Sequence, residues 1–104
     1  YSTLQDLYHF SQALSSGRIV KPETLEEMMT PQTVAGEPTD YGLGLQIAEV
    51  DGRRMVGHVG GLPGFNNFLA YFPEYQAVII ALGNIDTLDA REIALGLSQA
   101  LFSE

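Results

Sequence analysis

The sequence predicts an α+β fold, an antiparallel sheet of about four sequential strands flanked by N-terminal helices and one C-terminal helix. Three observations carry this. Apolar residues recur at helical spacing up to Pro31. From Tyr41 the period changes to alternation, and an Asp51-Gly52 turn signal falls between two strand-like runs. After Asp86 the helical period returns.

Each element has its own signals. Ser2 with Gln5, or Thr3 with Asp6, forms a capping arrangement for a first helix. Leu4, Leu7, Tyr8, Phe10, Ala13 and Leu14 give that helix its apolar positions, and Gly17 stops it. A second helix opens at Pro22, turns Leu25, Met28 and Met29 inward, and ends before Pro31. Residues 33–40 hold Gly36 and Pro38 and are expected to be a loop. Tyr41, Leu43, Leu45 and Ile47 alternate as a first strand, and residues 53–58 return after the Asp51-Gly52 hairpin. The glycines of residues 60–64 are expected to break that strand, with residues 65–72 as a third. Pro73-Glu74 turns the chain into residues 75–82, a run expected to be buried on both faces. Asp86 or Thr87 caps a last helix over 88–102, with Ile93, Leu97, Ala100 and Leu101 as its buried stripe. Residues 1–32 are thus a helical part and 41–104 a sheet with its closing helix, together a single domain or a fragment of one.

The 104 residues suffice for one small domain, and 45% hydrophobic content argues against disorder. Five basic against 13 acidic residues give a net charge of -8, which repels a nucleic-acid backbone and excludes that class of partner. There is no cysteine, so disulfides and thiolate metal sites are excluded. No apolar run is long enough to span a bilayer as a helix, and no signal peptide is visible. The chain opens at Tyr1, which fits a processed product, a trimmed chain or a piece of something larger.

Residues 57–64, Gly-His-Val-Gly-Gly-Leu-Pro-Gly, are the candidate site edge. A structural histidine at a strand end is the plain alternative for His58. The glycines favour a site, because without a Cβ they let a ligand or another chain approach the backbone. Gly61 can then present its N–H to a developing oxyanion, Gly60 permits close approach, and His58 can hydrogen-bond a substrate carbonyl or carboxylate. Tyr41 and Phe65 lie near turns and are candidates to line a pocket. His9, on the first helix, reads as structural. Two histidines without H-E-x-x-H spacing make a metal improbable, and no phosphate-cradle motif is present. No G-x-S-x-G or S-x-x-K occurs, and every serine falls on a predicted helix or its end. The adjacent Glu26 and Glu27, and the pair Asp86 and Asp89, read as solvated or helix-start carboxylates. The segment has one wall of a site and no nucleophile.

Taken in order, Tyr1-Ser2-Thr3, Asp6-Leu7, Pro22-Glu23-Thr24-Leu25, Met28, Tyr41-Gly42-Leu43-Gly44, Gly57-His58-Val59-Gly60-Gly61, Pro63-Gly64-Phe65 and Tyr71-Phe72-Pro73 resemble the serine β-lactamase-like superfamily. Within it they look most like the group of class C β-lactamases, esterases and D-aminopeptidases, with its penicillin-binding-protein-like relatives. The resemblance covers essentially the whole chain and implies the C-terminal part of a β-lactamase/transpeptidase-like fold. It implies that His58-Val59-Gly60 stands where the family has Lys-Thr-Gly or His-x-Gly, and that Gly61 supplies half of the oxyanion hole. His58 would orient substrate and support proton transfer, with Val59 and Gly60 along the substrate. The family's Ser-x-x-Lys and Tyr-x-Asn are absent here. Val59 lacks the threonine hydroxyl and His58 lacks lysine's permanent charge, which leans towards an esterase or peptidase.

The resemblance therefore implies a parent serine hydrolase that acts by acyl transfer on an ester, amide or β-lactam without a cofactor, and an isolated chain without turnover. Its partners would be the missing N-terminal catalytic portion of the same protein and a small-molecule or peptide acyl substrate. Its compartment would be secreted, periplasmic or membrane-associated. The competing class is a non-catalytic binding or structural module whose glycine-flanked strand pairs with a peptide or partner segment. In either case an exposed sheet edge invites self-association.

Overall fold

A computed structural model describes residues 1–103. The order is α1 (Leu4–Ser15), α2 (Pro22–Met28), β1 (Thr33–Val34), β2 (Glu37–Pro38), β3 (Gln46–Val50), β4 (Arg53–Leu62), β5 (Phe65–Phe72), a 3-10 turn (Pro73–Tyr75), β6 (Ala77–Gly83) and α3 (Ala90–Phe102). The expected three helices and four-stranded antiparallel sheet are there, in the spatial order β3-β4-β5-β6.

Local chemistry sets the ends of these elements. Of the two caps considered for α1, Thr3 is the one used: its Oγ1 accepts from the Asp6 N–H at 3.0 Å. At the other end Gly17 takes φ 82°, while Arg18 N–H donates to Ala13 O and Gly17 N–H to Leu14 O, a Schellman closure. Asp51 and Gly52 both have positive φ and join Val50 to Arg53, the tight turn expected from their identities.

The sheet is covered on both faces. Met55, Phe68, Ala70, Phe72, Ile79 and Ala81 form the core under α3, whose Ala90 and Ala94 press onto it. On the opposite face Val56 packs with Leu25 and Met29 of the α2 region, with Leu14 and Ile47 alongside.

Several sequence expectations are corrected. The glycines at 60 and 61 do not break β4, which runs on to Leu62 in register with β5; the turn is Pro63-Gly64, with Gly64 at φ 86°. Neither glycine has positive φ, so both sit in extended backbone. The first long strand starts at Gln46, and Tyr41 contributes an isolated bridge to Gln46. Residues 33–40 contain a short hairpin turned by Ala35-Gly36. The last helix is capped by Asp89, two or three residues later than expected, and Leu88 packs over Gly83 instead.

The expected stripe of α3 is turned off the sheet. Ile93, Leu97 and Leu101 remain 42%, 49% and 55% exposed, and Ala100 is exposed too, while Ala90, Ala94 and Ser98 are buried. The bulky sheet residues Phe68 and Phe72 fill the interface, so the helix approaches through its small side chains. On α1, Ser11 is buried and Leu14 packs beside Val56, while Leu4, Tyr8 and Phe10 are exposed. Leu82 at 37% shows that β6 is not buried on both faces.

Candidate active site

The site lies on the half of β4 that β3 does not cover. The register pairs Gln46, the first residue of β3, with Gly57. From His58 to Leu62, β4 pairs only with β5 among the described residues, and its other edge is open. Val59 N–H points to that edge, where it donates to Gln46 Oε1 at 3.2 Å. Backbone N–H groups two residues apart on a strand point the same way. The Gly61 N–H therefore points outward along the same open edge.

Pleat alternation divides the sequence-predicted residues between the faces. Val59 pairs with Phe68 and Gly61 with Asn66, which places both on the α3 face; Val59 is 40% exposed. His58 pairs with Leu69 and Gly60 with Asn67, which places them on the α1 and α2 face. Tyr41 and His58 are in contact: the Tyr41 hydroxyl and His58 Nε2 share a hydrogen bond of 2.8 Å, and the rings meet edge to face at 5.7 Å. His58 Nδ1–H donates to Val59 O at 2.6 Å. Gly60, Gly61 and Phe65 line an open hollow of about 330 Å³ with Tyr1, Leu62 and Asn67. The structure thus gathers two groups of the expected residues, Tyr41 with His58 and Gly60, Gly61 with Phe65.

The glycines differ in what requires them. A Cβ on Gly57 would overlap the Leu69 carbonyl oxygen, so the packing of β4 on β5 forbids a side chain there. A Cβ on Gly60 or Gly61 would meet nothing nearer than 3.8 Å. No packing within this chain demands glycine at 60 or 61. Their bareness leaves room at the open edge.

Some contributors escaped the sequence reading. Gln46 has no motif that marks it. Asn66 and Asn67 do carry a signal, two adjacent amides in a strand, where asparagine is disfavoured. Asn66 Oδ1 accepts from Ala90 N–H at 2.9 Å and Asn67 Oδ1 from Gly83 N–H at 3.3 Å. Gly64 N–H donates to Asp86 Oδ2 at 3.3 Å. These three bonds tie the β4–β5 turn and the start of β5 to the end of β6, to the loop that follows it and to the first residue of α3. No cluster of three or more metal-ligating side chains occurs among the described residues.

A model of the family described as Beta-lactamase matches residues 1–102. The chain belongs to the beta-lactamase family. A putative penicillin-binding protein of Bacillus subtilis, PbpX, is 31% identical over 85 residues, covering 82% of this chain and 20% of that protein. Among solved structures, the octameric penicillin-binding protein homologue from Pyrococcus abyssi superposes with TM-score 0.84 at 28% identity, over 96% of this chain and 24% of that one. A D-stereospecific amidohydrolase from Streptomyces gives TM-score 0.75 at 27% identity, over 97% of this chain and 30% of that one. The chain spans about a fifth of the length of the first curated relatives it matches. The fold is the corresponding part of a β-lactamase-like, penicillin-binding-protein-like fold, and its relatives include hydrolases.

Proposed function

We propose that this chain is the C-terminal segment of a serine hydrolase that works through an acyl-enzyme, carrying one wall of the cleft. The observation that carries this is the open β4 edge, along which the Gly61 N–H is directed outward three residues after His58, itself paired with Tyr41. A tetrahedral intermediate needs a fixed donor where negative charge develops, and a rigid strand N–H costs no reorganisation at that moment. Gly61 supplies that donor. Gly60 and Val59 lie along the acyl group, Phe65 lines the hollow beside it, and His58 orients the substrate.

No Ser-x-x-Lys lies in the 104 residues, so the attacking serine comes from the remainder of the same protein. That remainder and an acyl substrate are the partners of this surface. Valine at 59 removes the hydroxyl that a threonine would offer to a carboxylate, a donor worth roughly 1–3 kcal/mol if its partner is left buried and unpaired. Esters and peptide amides are therefore favoured over β-lactams.

The test treats both the 104-residue chain and its complete parent with a serine-directed covalent probe and an activated ester. The expected outcome is no turnover by the chain, and labelling of a Ser-x-x-Lys serine with saturable turnover by the parent. Labelling of one of the chain's own serines, with turnover, overturns the reading. A second reading is favoured by the same open edge: a peptide adding to β4 as a fifth strand, without chemistry. A parent that binds extended peptides but takes no covalent label decides for it.

A further inference from the structure

We propose that Tyr41 is the positioning residue of His58: its hydroxyl holds the neutral imidazole as the Nδ1–H tautomer and puts the phenol oxygen, not the ring, at the cleft. The carbonyl of Val59 can only accept, so the 2.6 Å contact to Nδ1 places the ring proton there. Nε2 of the neutral ring is then an acceptor, and Tyr41 fills it at 2.8 Å. The free histidine side chain prefers the opposite tautomer, with the proton on Nε2. The site therefore imposes a choice, and Tyr41 supplies one of the two bonds that impose it.

The backbone around Tyr41 is built to hold this contact. Its N–H donates to Thr39 Oγ1 at 3.3 Å, and its carbonyl accepts from Gln32 N–H at 2.9 Å. The next residue, Gly42, lies against the Met28 carbonyl so closely that a Cβ would overlap it, and Leu43 N–H donates to Met28 O at 3.0 Å. The end of α2 thus anchors the segment that carries the phenol. Packing alone does not account for this, because Tyr41 remains 39% exposed.

Both ring nitrogens of His58 are occupied, so a proton travelling between an acyl substrate and His58 passes by way of the Tyr41 oxygen. As that oxygen takes a proton from the cleft, its own hydrogen passes to Nε2, leaving a neutral phenol and an imidazolium. With the ring neutral, the Tyr41 oxygen keeps a lone pair free to accept a proton. This inference rests on the reading of His58 as a site residue. Its test uses no substrate, so failure here is distinct from failure of acyl transfer.

The experiment is a two-bond proton–nitrogen correlation spectrum of the ¹⁵N-labelled 104-residue chain at alkaline pH, for the wild type and Tyr41→Phe, with His9 as internal reference. The wild type should show His58 as the Nδ1–H tautomer. In the variant the ratio of Nδ1–H to Nε2–H should fall roughly five- to tenfold, the worth of one neutral hydrogen bond. The backbone amide spectrum should change only near residues 39–46 and 57–60. An Nε2–H tautomer in the wild type overturns the proposal even if the variant fails to fold. So does an unchanged ratio in a folded variant.

Discussion

Gly57→Ala should cripple folding, whereas Gly60→Ala and Gly61→Ala, three and four residues further along the same strand, should leave it intact. A methyl group on Gly57 falls on the Leu69 carbonyl oxygen and close to Ala70 Cα, both backbone atoms of the neighbouring central strand. A flexible side chain could swing aside; a carbonyl within a ladder cannot. Relief requires β4 and β5 to part locally, beside Val56 and Ala70, which are 2% and 1% exposed. One or two ladder hydrogen bonds are then lost with their groups still buried, at about 1–3 kcal/mol each. A loss of roughly 3–4 kcal/mol is a large share of the 5–15 kcal/mol that a domain of this size has to spare. At about 4–8 °C per kcal/mol, the melting temperature falls by well over 10 °C. At Gly60 and Gly61 the new methyl meets only ordinary contacts, and the stiffer unfolded chain adds up to about 1 kcal/mol of stability. Thermal and urea unfolding of the three variants, followed by circular dichroism, measures this. A Gly57→Ala melt equal to wild type, or a Gly61→Ala melt as poor as that of Gly57→Ala, refutes the reasoning.

Three further outcomes follow from the same packing. Phe72 is fully buried against Phe102 at 5.1 Å between ring centroids, so Phe72→Ala should cost about 3–5 kcal/mol in urea unfolding. Asn66→Ala removes the acceptor for the Ala90 N–H and should cost about 1–2 kcal/mol, with hydrogen exchange fastest at the first turn of α3. The open edge of β6 contains no charged residue, and α3 adds the exposed Ile93, Leu97 and Leu101, so the isolated chain should self-associate. Sedimentation velocity should show a concentration-dependent shift that Leu82→Lys with Leu97→Glu abolishes without lowering the melting temperature; a monomer at all concentrations would refute this.

The fold was largely legible because its signals are local. Thr3 at a helix start, Gly17 at its end and Asp51-Gly52 between two alternating runs each act within a few residues of themselves. The candidate site was legible in part. His58 and its glycines stand together in the chain, but a glycine cluster alone signals a strand break where β4 in fact continues. In a strand supported by β5 on one side, extended glycine is no interruption, and the real turn needed the positive φ of Gly64.

The sequence by itself determined the order of the main elements and the family, and it named the candidate site residues, since all of these are read from spacing and identity. Tertiary structure alone decided which apolar stripes are covered. Periodicity marks a helix face as apolar without saying what covers it, and large residues on the sheet drew Ala90 and Ala94 inward and left Leu97 outside. It alone joined Tyr41 to His58, 17 residues apart, because that contact depends on where α2 ends and where β3 stops short along β4. And it alone separated Gly57, which the neighbouring strand requires, from Gly60 and Gly61, which nothing within this chain requires and which the open edge leaves free for what approaches it.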